Sequence, residues 1–222
     1  MWKSQQVSQI DPDVDFIFRN AERLINVTAG CVISFGLAAG LADAADANPH
    51  DPGHDWSQAL YGFHGDTILM AALRVSLLLD RDEKVVSFQA VHRRLKLYRV
   101  RKGLLRAVAS RRGPDIFGPP SRADLIREFF RTYAEIDWQV HGRLTHFRNR
   151  GIAHLTPQLL AKSITVDELQ TLVALIGRLA TTLQHLCQTK TAFRDNMLVE
   201  YRRIARNAMK PIRTKVAMSG GD

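Results

Sequence analysis

From Leu125 onward, apolar residues recur at steps of three and four: Leu125, Phe129, Tyr133, Ile136, Val140, Leu144 and Phe147. That spacing puts one large side chain per turn on a single face, and it predicts one helix with a buried face sustained over about six turns. Leu169, Leu172, Val173, Ile176, Leu179, Leu183 and Leu186 predict another. In front of it, Thr165-Val166-Asp167-Glu168 has the form of a capping box, with Ile164 and Leu169 placed to staple the entering chain. Earlier, Trp56 to Leu79 is dense in apolar residues (Ile68, Leu69, Met70, Leu73, Val75, Leu77, Leu78, Leu79), which predicts a helix surrounded on most sides.

Polar residues mark the ends of these elements. Asp11-Pro12, followed by Asp13 and Asp15, is a helix start: an Asx cap, a proline at the first helical position and acids near the positive end of the dipole. The helix it opens is expected to run to about Ala47, with a break near a glycine as one option. Residues 48–55 (Asn48 to Asp55) and 113–120 read as loops by their Pro and Gly content, and Asp80-Arg81-Asp82 reads as a turn. Ser87 is placed to cap a shorter helix, and Arg194 to about Met209 reads as a last helix before Pro211, with a disordered end over 218–222. Nothing reads convincingly as a strand, a repeat or a low-complexity run.

Composition narrows the class. With 222 residues, 45% apolar and 24% charged, the chain is long enough for a real core and has none of the biases of disordered, collagen-like or disulfide-scaffold proteins. Cys31 and Cys187 lie far apart inside apolar helical patterns, which suits reduced, buried thiols in a cytosolic protein. The N-terminus lacks the basic-then-apolar order of a signal peptide. Leu24 to Ala42 runs 19 residues without a charge, but Asn26, Thr28, Ser34, Gly30, Gly36 and Gly40 dilute it, and a buried or interface helix is expected rather than a membrane span. Gly36-x-x-x-Gly40 is a small-residue seam of the kind that lets a second helix approach closely.

Charge changes the picture more. Residues 1–90 hold 6 Lys/Arg against 12 Asp/Glu, whereas residues 91–222 hold 25 against 10, for a total of +9. The basic half suits a polyanion. It is densest over 92–112 (His92 to Arg112), where nine Lys/Arg and no acid interleave with Leu95, Leu97, Tyr98, Val100, Leu104, Leu105 and Val108. Such a stretch is either a solvated face or a phosphate-backbone surface. Arg74, the one cation of the second helix, is expected to find a carboxylate in a structural ion pair or to line a polar cleft. His50 and His54 with two aspartates raise a metal site, but the intervening prolines remove the i, i+4 geometry and no third ligand is evident, so no metal and no cofactor is expected.

The remaining oddity is Phe147-Arg148-Asn149-Arg150-Gly151-Ile152-Ala153-His154, which crowds cations, an amide and an imidazole into about two helical turns after a regular amphipathic segment. Were the helix to continue, His154 would lie nearly above Phe147, and Arg150 would share its face. Gly151 gives slack, so either Arg148 or Arg150 can reach the imidazole. Without a carboxylate cluster, this set suits RNA cleavage. The 2′-hydroxyl supplies the nucleophile, a histidine near neutral pKa moves protons, and an arginine fork takes phosphate oxygens. The bland reading is a helix C-terminus whose cations satisfy free carbonyls and the negative dipole end.

Arg148-Asn149-x-x-x-x-His154 resembles the Arg-polar-x(n)-His signature of the HEPN superfamily, and the Arg-Asn-Arg-Gly-Ile-Ala-His form is similar to abortive-infection AbiU-type HEPN-like proteins. The likeness covers about residues 15–190, with the specific motif confined to seven of them. It implies an all-α, HEPN-like antiparallel bundle of long helices over 1–190, with an appended basic C-terminal helix and tail over 191–222. It also implies a cytoplasmic homodimer with both motifs facing a shared cleft, and a metal-independent endoribonuclease that leaves a 2′,3′-cyclic phosphate. In that scheme Arg148 and His154 are catalytic, while Asn149 and Arg150 bind substrate. RNA, a second copy of the chain and a cognate antitoxin are the expected partners, and a membrane is not. Some relatives carry a tyrosine two residues after the histidine that a partner enzyme modifies; Thr156 stands there in this chain. Two other classes stay open: a non-catalytic helical RNA-binding or interaction module and, ranked last for want of a helix-turn-helix spacing, a DNA-binding regulator.

Overall fold

The computed structural model describes residues 10–46, 55–111, 121–151, 164–190 and 193–209, and of 46, 55–59, 110–111 and 149–151 it describes the backbone alone. All eight elements among them are helices: α1 (Pro12–Asp46), α2 (Asp55–Leu78), α3 (Phe88–Lys96), α4 (Tyr98–Arg111), α5 (Arg122–Ala134), α6 (Trp138–Gly151), α7 (Val166–Cys187) and α8 (Met197–Ala208). The all-α class expected from the apolar spacing is what the chain adopts. One buried cluster joins the helices, running from Val14, Phe35 and Val75 through Phe88, Phe129 and Leu144 to Ile176 and Leu183.

α1 is the spine, lying against α2, α7 and α8. Asp11 opens it by accepting the Asp13 amide at 2.9 Å, and it runs unbroken through its glycines. Those glycines make room instead. A Cβ at Gly40 would stand 2.2 Å from the Arg202 carbonyl oxygen, and one at Gly36 would stand 2.9 Å from that of Leu198. The small-residue seam is therefore the groove that takes α8, which Arg202 clamps with two 2.6 Å bonds to the Asp43 carboxylate. By length and composition Pro12–Ala45 could cross a membrane, and half of its most apolar stretch is buried against the other helices.

Arg74 departs from expectation. Its guanidinium donates to the Gly30 carbonyl at 2.7 Å and to Ser34 Oγ at 2.6 Å rather than to a carboxylate. Hydrogen-bonding groups on α1 thus satisfy the cation in a stretch, Leu24 to Ala42, that has no acid to offer. Cys31 and Cys187 are both buried and form no disulfide, and burial pushes the Cys31 thiol up to about 12.

The long helix expected before the motif is two helices. Glu135 ends α5, and Asp137 Oδ1 accepts the amides of Gln139 at 2.8 Å and Val140 at 3.1 Å, starting α6. A carboxylate that caps the next helix competes with the backbone ladder of the previous one, and here the cap wins. The apolar phase survives the break: Phe129, Tyr133, Ile136, Val140, Leu144 and Phe147 are all buried. The capping box at Thr165 forms as read, with Ile164 and Leu169 both buried beside it. The basic 92–112 stretch is also interrupted: Leu97 takes an extended conformation between α3 and α4.

Candidate functional site

Two stripes run along α6. Val140, Leu144 and Phe147 face the core, and beside them Trp138, His141, Thr145 and Arg148, again at steps of three and four, form a polar stripe that meets the end of α2. Arg148 is the one residue of the predicted motif whose side chain is described. Its Nη1 donates to Asp80 Oδ2 at 2.8 Å, with 20% of the arginine and 17% of the aspartate side chain exposed.

Asp80 is held rigidly for this role. It lies in the turn after α2, its Oδ1 accepts the Asp82 amide at 2.9 Å, and its carbonyl accepts the Ser87 hydroxyl at 2.7 Å. Ser87 in turn caps α3 through the Ala90 amide at 3.2 Å. Burial raises the Asp80 carboxyl, but the Asp82 amide and the Arg148 guanidinium outweigh it, and the net shift is downward. The group is an anion at neutral pH, fixed against a fixed cation.

His141, about two turns before Arg148 on α6, is 4% exposed. Its ring bonds the Ser76 carbonyl, and its Nε2 stands 3.5 Å from Thr145 Oγ1, which itself donates to the His141 carbonyl at 3.0 Å. Burial is the largest influence on this imidazole and lowers its pKa, which favours the neutral ring. A ladder of rings braces the region from α3 to α6. His92 stacks on Tyr133 at 3.7 Å, Tyr133 meets Trp138 at 5.3 Å, and Trp138 meets His141 edge-on at 5.5 Å. Arg81 lies over the outer face of this ladder, 4.5 Å from the Trp138 ring centre.

Of the other predicted site residues, Asn149 and Arg150 contribute described backbone to the last turn of α6, and His154 lies outside the described residues, as do His50 and His54. Which arginine faces His154 therefore also lies outside them. Among the described residues no group of three His, Cys, Asp or Glu side chains converges as a metal site would require. Asp80 and His141 were missed by sequence reasoning, which took Asp80 only as a turn residue. His141 carried a usable signal, because it stands seven residues before Arg148 and thus on the same helical face.

The basic stretch is partly neutralised. Arg93 pairs with Glu83 at 2.9 Å, Arg94 with Asp13 at 3.2 Å while lying over the Phe16 ring, and Arg99 with Asp11 and Asp13. Lys96, Lys102 and Arg106 are exposed. No family model, curated protein or solved structure matches the chain.

Proposed function

We propose that this chain is a HEPN-type, metal-independent endoribonuclease that acts as a homodimer in the cytoplasm, as a phage-defence effector or the toxin of a toxin–antitoxin pair. The observation that carries this reading is the placement of Arg148. The motif arginine stands on the polar stripe of α6, in its last turn, its guanidinium oriented by a mostly buried carboxylate. An oriented planar donor is what stabilises a pentacovalent phosphorane, because its reorganisation cost is already met in the fold.

In this mechanism His154 withdraws the 2′-hydroxyl proton as the oxygen attacks the adjacent phosphorus. Arg148 takes the developing charge on the phosphoryl oxygens, and the 5′-oxygen leaves with a proton returned by the imidazole of either copy. The products are a 2′,3′-cyclic phosphate and a 5′-hydroxyl, so atoms and protons balance. Asn149 orients phosphate or imidazole, and Arg150 holds backbone. A face for the second copy is available on α2, where Phe63, Met70 and Leu77 recur every seven residues and stay 50%, 43% and 47% exposed.

The same ion pair favours a second reading, in which Arg148 serves structure and the chain is a non-catalytic RNA-binding or interaction module. Incubation of RNA with an excess of the dimeric protein in EDTA separates them. Cleavage that His154→Ala abolishes without lowering the melting temperature supports the nuclease; intact RNA leaves only the module.

A further inference from the structure

We infer that the Leu97–Tyr98 corner between α3 and α4 is a binding surface for single-stranded RNA, with Tyr98 stacking on one unpaired base and Lys96, Lys102 and Arg106 meeting the flanking phosphates; this rests on the RNA reading above. Tyr98 is 69% exposed and its neighbour Leu97 42%. A single exposed tyrosine is ordinary on a protein surface, but this one stands in the most cationic part of the chain and is held in a particular way.

Leu97 breaks the helix with an extended backbone, its amide closing α3 on the Arg94 carbonyl, so that Tyr98 becomes the first residue of α4. Arg101 then reaches back and donates to the Leu95 and Lys96 carbonyls, both at 2.8 Å, which fixes its guanidinium over the Tyr98 ring at 5.9 Å from the centre. One ring face is backed by a cation tied to the α3 end, and the ring remains open to solvent. Every base has a π face to offer such a ring, and base–aromatic stacking with a nearby arginine is the usual device of proteins that hold single strands.

The charges around the corner suit the backbone. Lys102 and Arg106 are four apart on α4 and share a face, Lys96 precedes the corner, and all are exposed without an ion pair among the described residues. Asp11 and Asp13, which the neighbouring arginines bring to this end of the molecule, are engaged by Arg94 and Arg99. The positive end of the α4 dipole lies at the same place. α3 also links this corner to the motif: Ser87 at its start bonds the Asp80 carbonyl, and the nine residues of α3 span about 14 Å. A strand lying on Tyr98 is within a few nucleotides of Arg148.

The test uses the full chain carrying His154→Ala, so that the probe stays intact, and fluorescence anisotropy with a short labelled oligouridylate, its abasic analogue, and phosphatidylserine vesicles. Tyr98→Ala is expected to weaken oligouridylate binding on the order of tenfold while Tyr98→Phe preserves it. Binding of the abasic analogue should be indifferent to Tyr98, and Lys102→Ala with Arg106→Ala should weaken both probes and flatten the salt dependence. If Tyr98→Ala does not fold, Tyr98→Gln replaces it. The inference is overturned if Tyr98→Ala binds as tightly as its parent, if it weakens the abasic probe equally, or if only the vesicles bind. Tyr98-dependent binding by a wild-type chain that never cuts removes the nuclease and leaves this surface standing.

Discussion

Asp80 and Arg148 meet across 68 residues of sequence, and each is too far from water to lose its partner without cost. Truncating one member of a charged hydrogen bond leaves the other desolvated, a loss of about 1–3 kcal/mol. Asp80→Asn should therefore lower stability less than Arg148→Ala, because the amide oxygen still accepts a hydrogen bond. If the pair orients a catalytic arginine, Asp80→Asn should also depress cleavage more than substrate binding, and paired denaturation and cleavage assays check both. His92 makes a different prediction. Burial, then Lys96 and Arg93, push its imidazole down to about 4, so the unfolded chain binds the proton more readily. Stability is complete above about pH 6.5 and declines as pH falls toward 4. His64 and His141, also lowered by burial, add loss of the same sign, whereas Asp80, lowered overall, adds its loss only on further acidification. Denaturation midpoints at pH 7 and pH 5 should differ, and His92→Phe should narrow the gap; an unchanged midpoint would refute this. Arg148 was legible as part of a local motif. Asp80 was not, because an ion pair between a turn and a distant helix leaves no periodic trace.

At the scale of elements, the glycines separate packing from propensity. Gly→Ala within a helix is ordinarily worth roughly 0.5–1 kcal/mol in favour of alanine. Gly142 has open space where a Cβ would go, so Gly142→Ala should raise the melting temperature. At Gly40 a Cβ would stand 2.2 Å from a backbone oxygen of α8, and α8 must shift, so Gly40→Ala should cost about 1–3 kcal/mol net and lower it. Thermal melts of the two variants moving in opposite directions would establish the groove; a stabilised Gly40→Ala would dismiss it. The seam could be read from Gly36-x-x-x-Gly40, but its occupant could not, since α8 follows more than 150 residues later. The break at Asp137 was hidden for another reason. A three-residue interruption left Ile136 buried and the apolar phase intact, so the spacing alone looked continuous, while the cap geometry that ends α5 depends on which amides Asp137 reaches.

Across the molecule, the charge asymmetry does not produce one basic surface. α4 packs on α1 near Val14, where a Cβ at Gly103 would lie 3.0 Å from its side chain, and α8 packs at Gly36 and Gly40. Those points are about 33–39 Å apart along α1 at about 1.5 Å per residue, so the two cationic helices address different regions of space. The α2 stripe supplies a separate prediction. Met70→Asp, at an exposed site, should leave the monomer folded by circular dichroism yet move the sedimentation coefficient from dimer to monomer; a dimer that persists would place the interface elsewhere. The function is tested most directly by the chemistry of the RNA ends. Incubated with the wild-type protein in EDTA, RNA should yield fragments bearing a 2′,3′-cyclic phosphate and a 5′-hydroxyl, and His154→Ala at an unchanged melting temperature should yield none. RNA that stays intact at enzyme excess, or fragments with 3′-hydroxyl and 5′-phosphate ends, would contradict it.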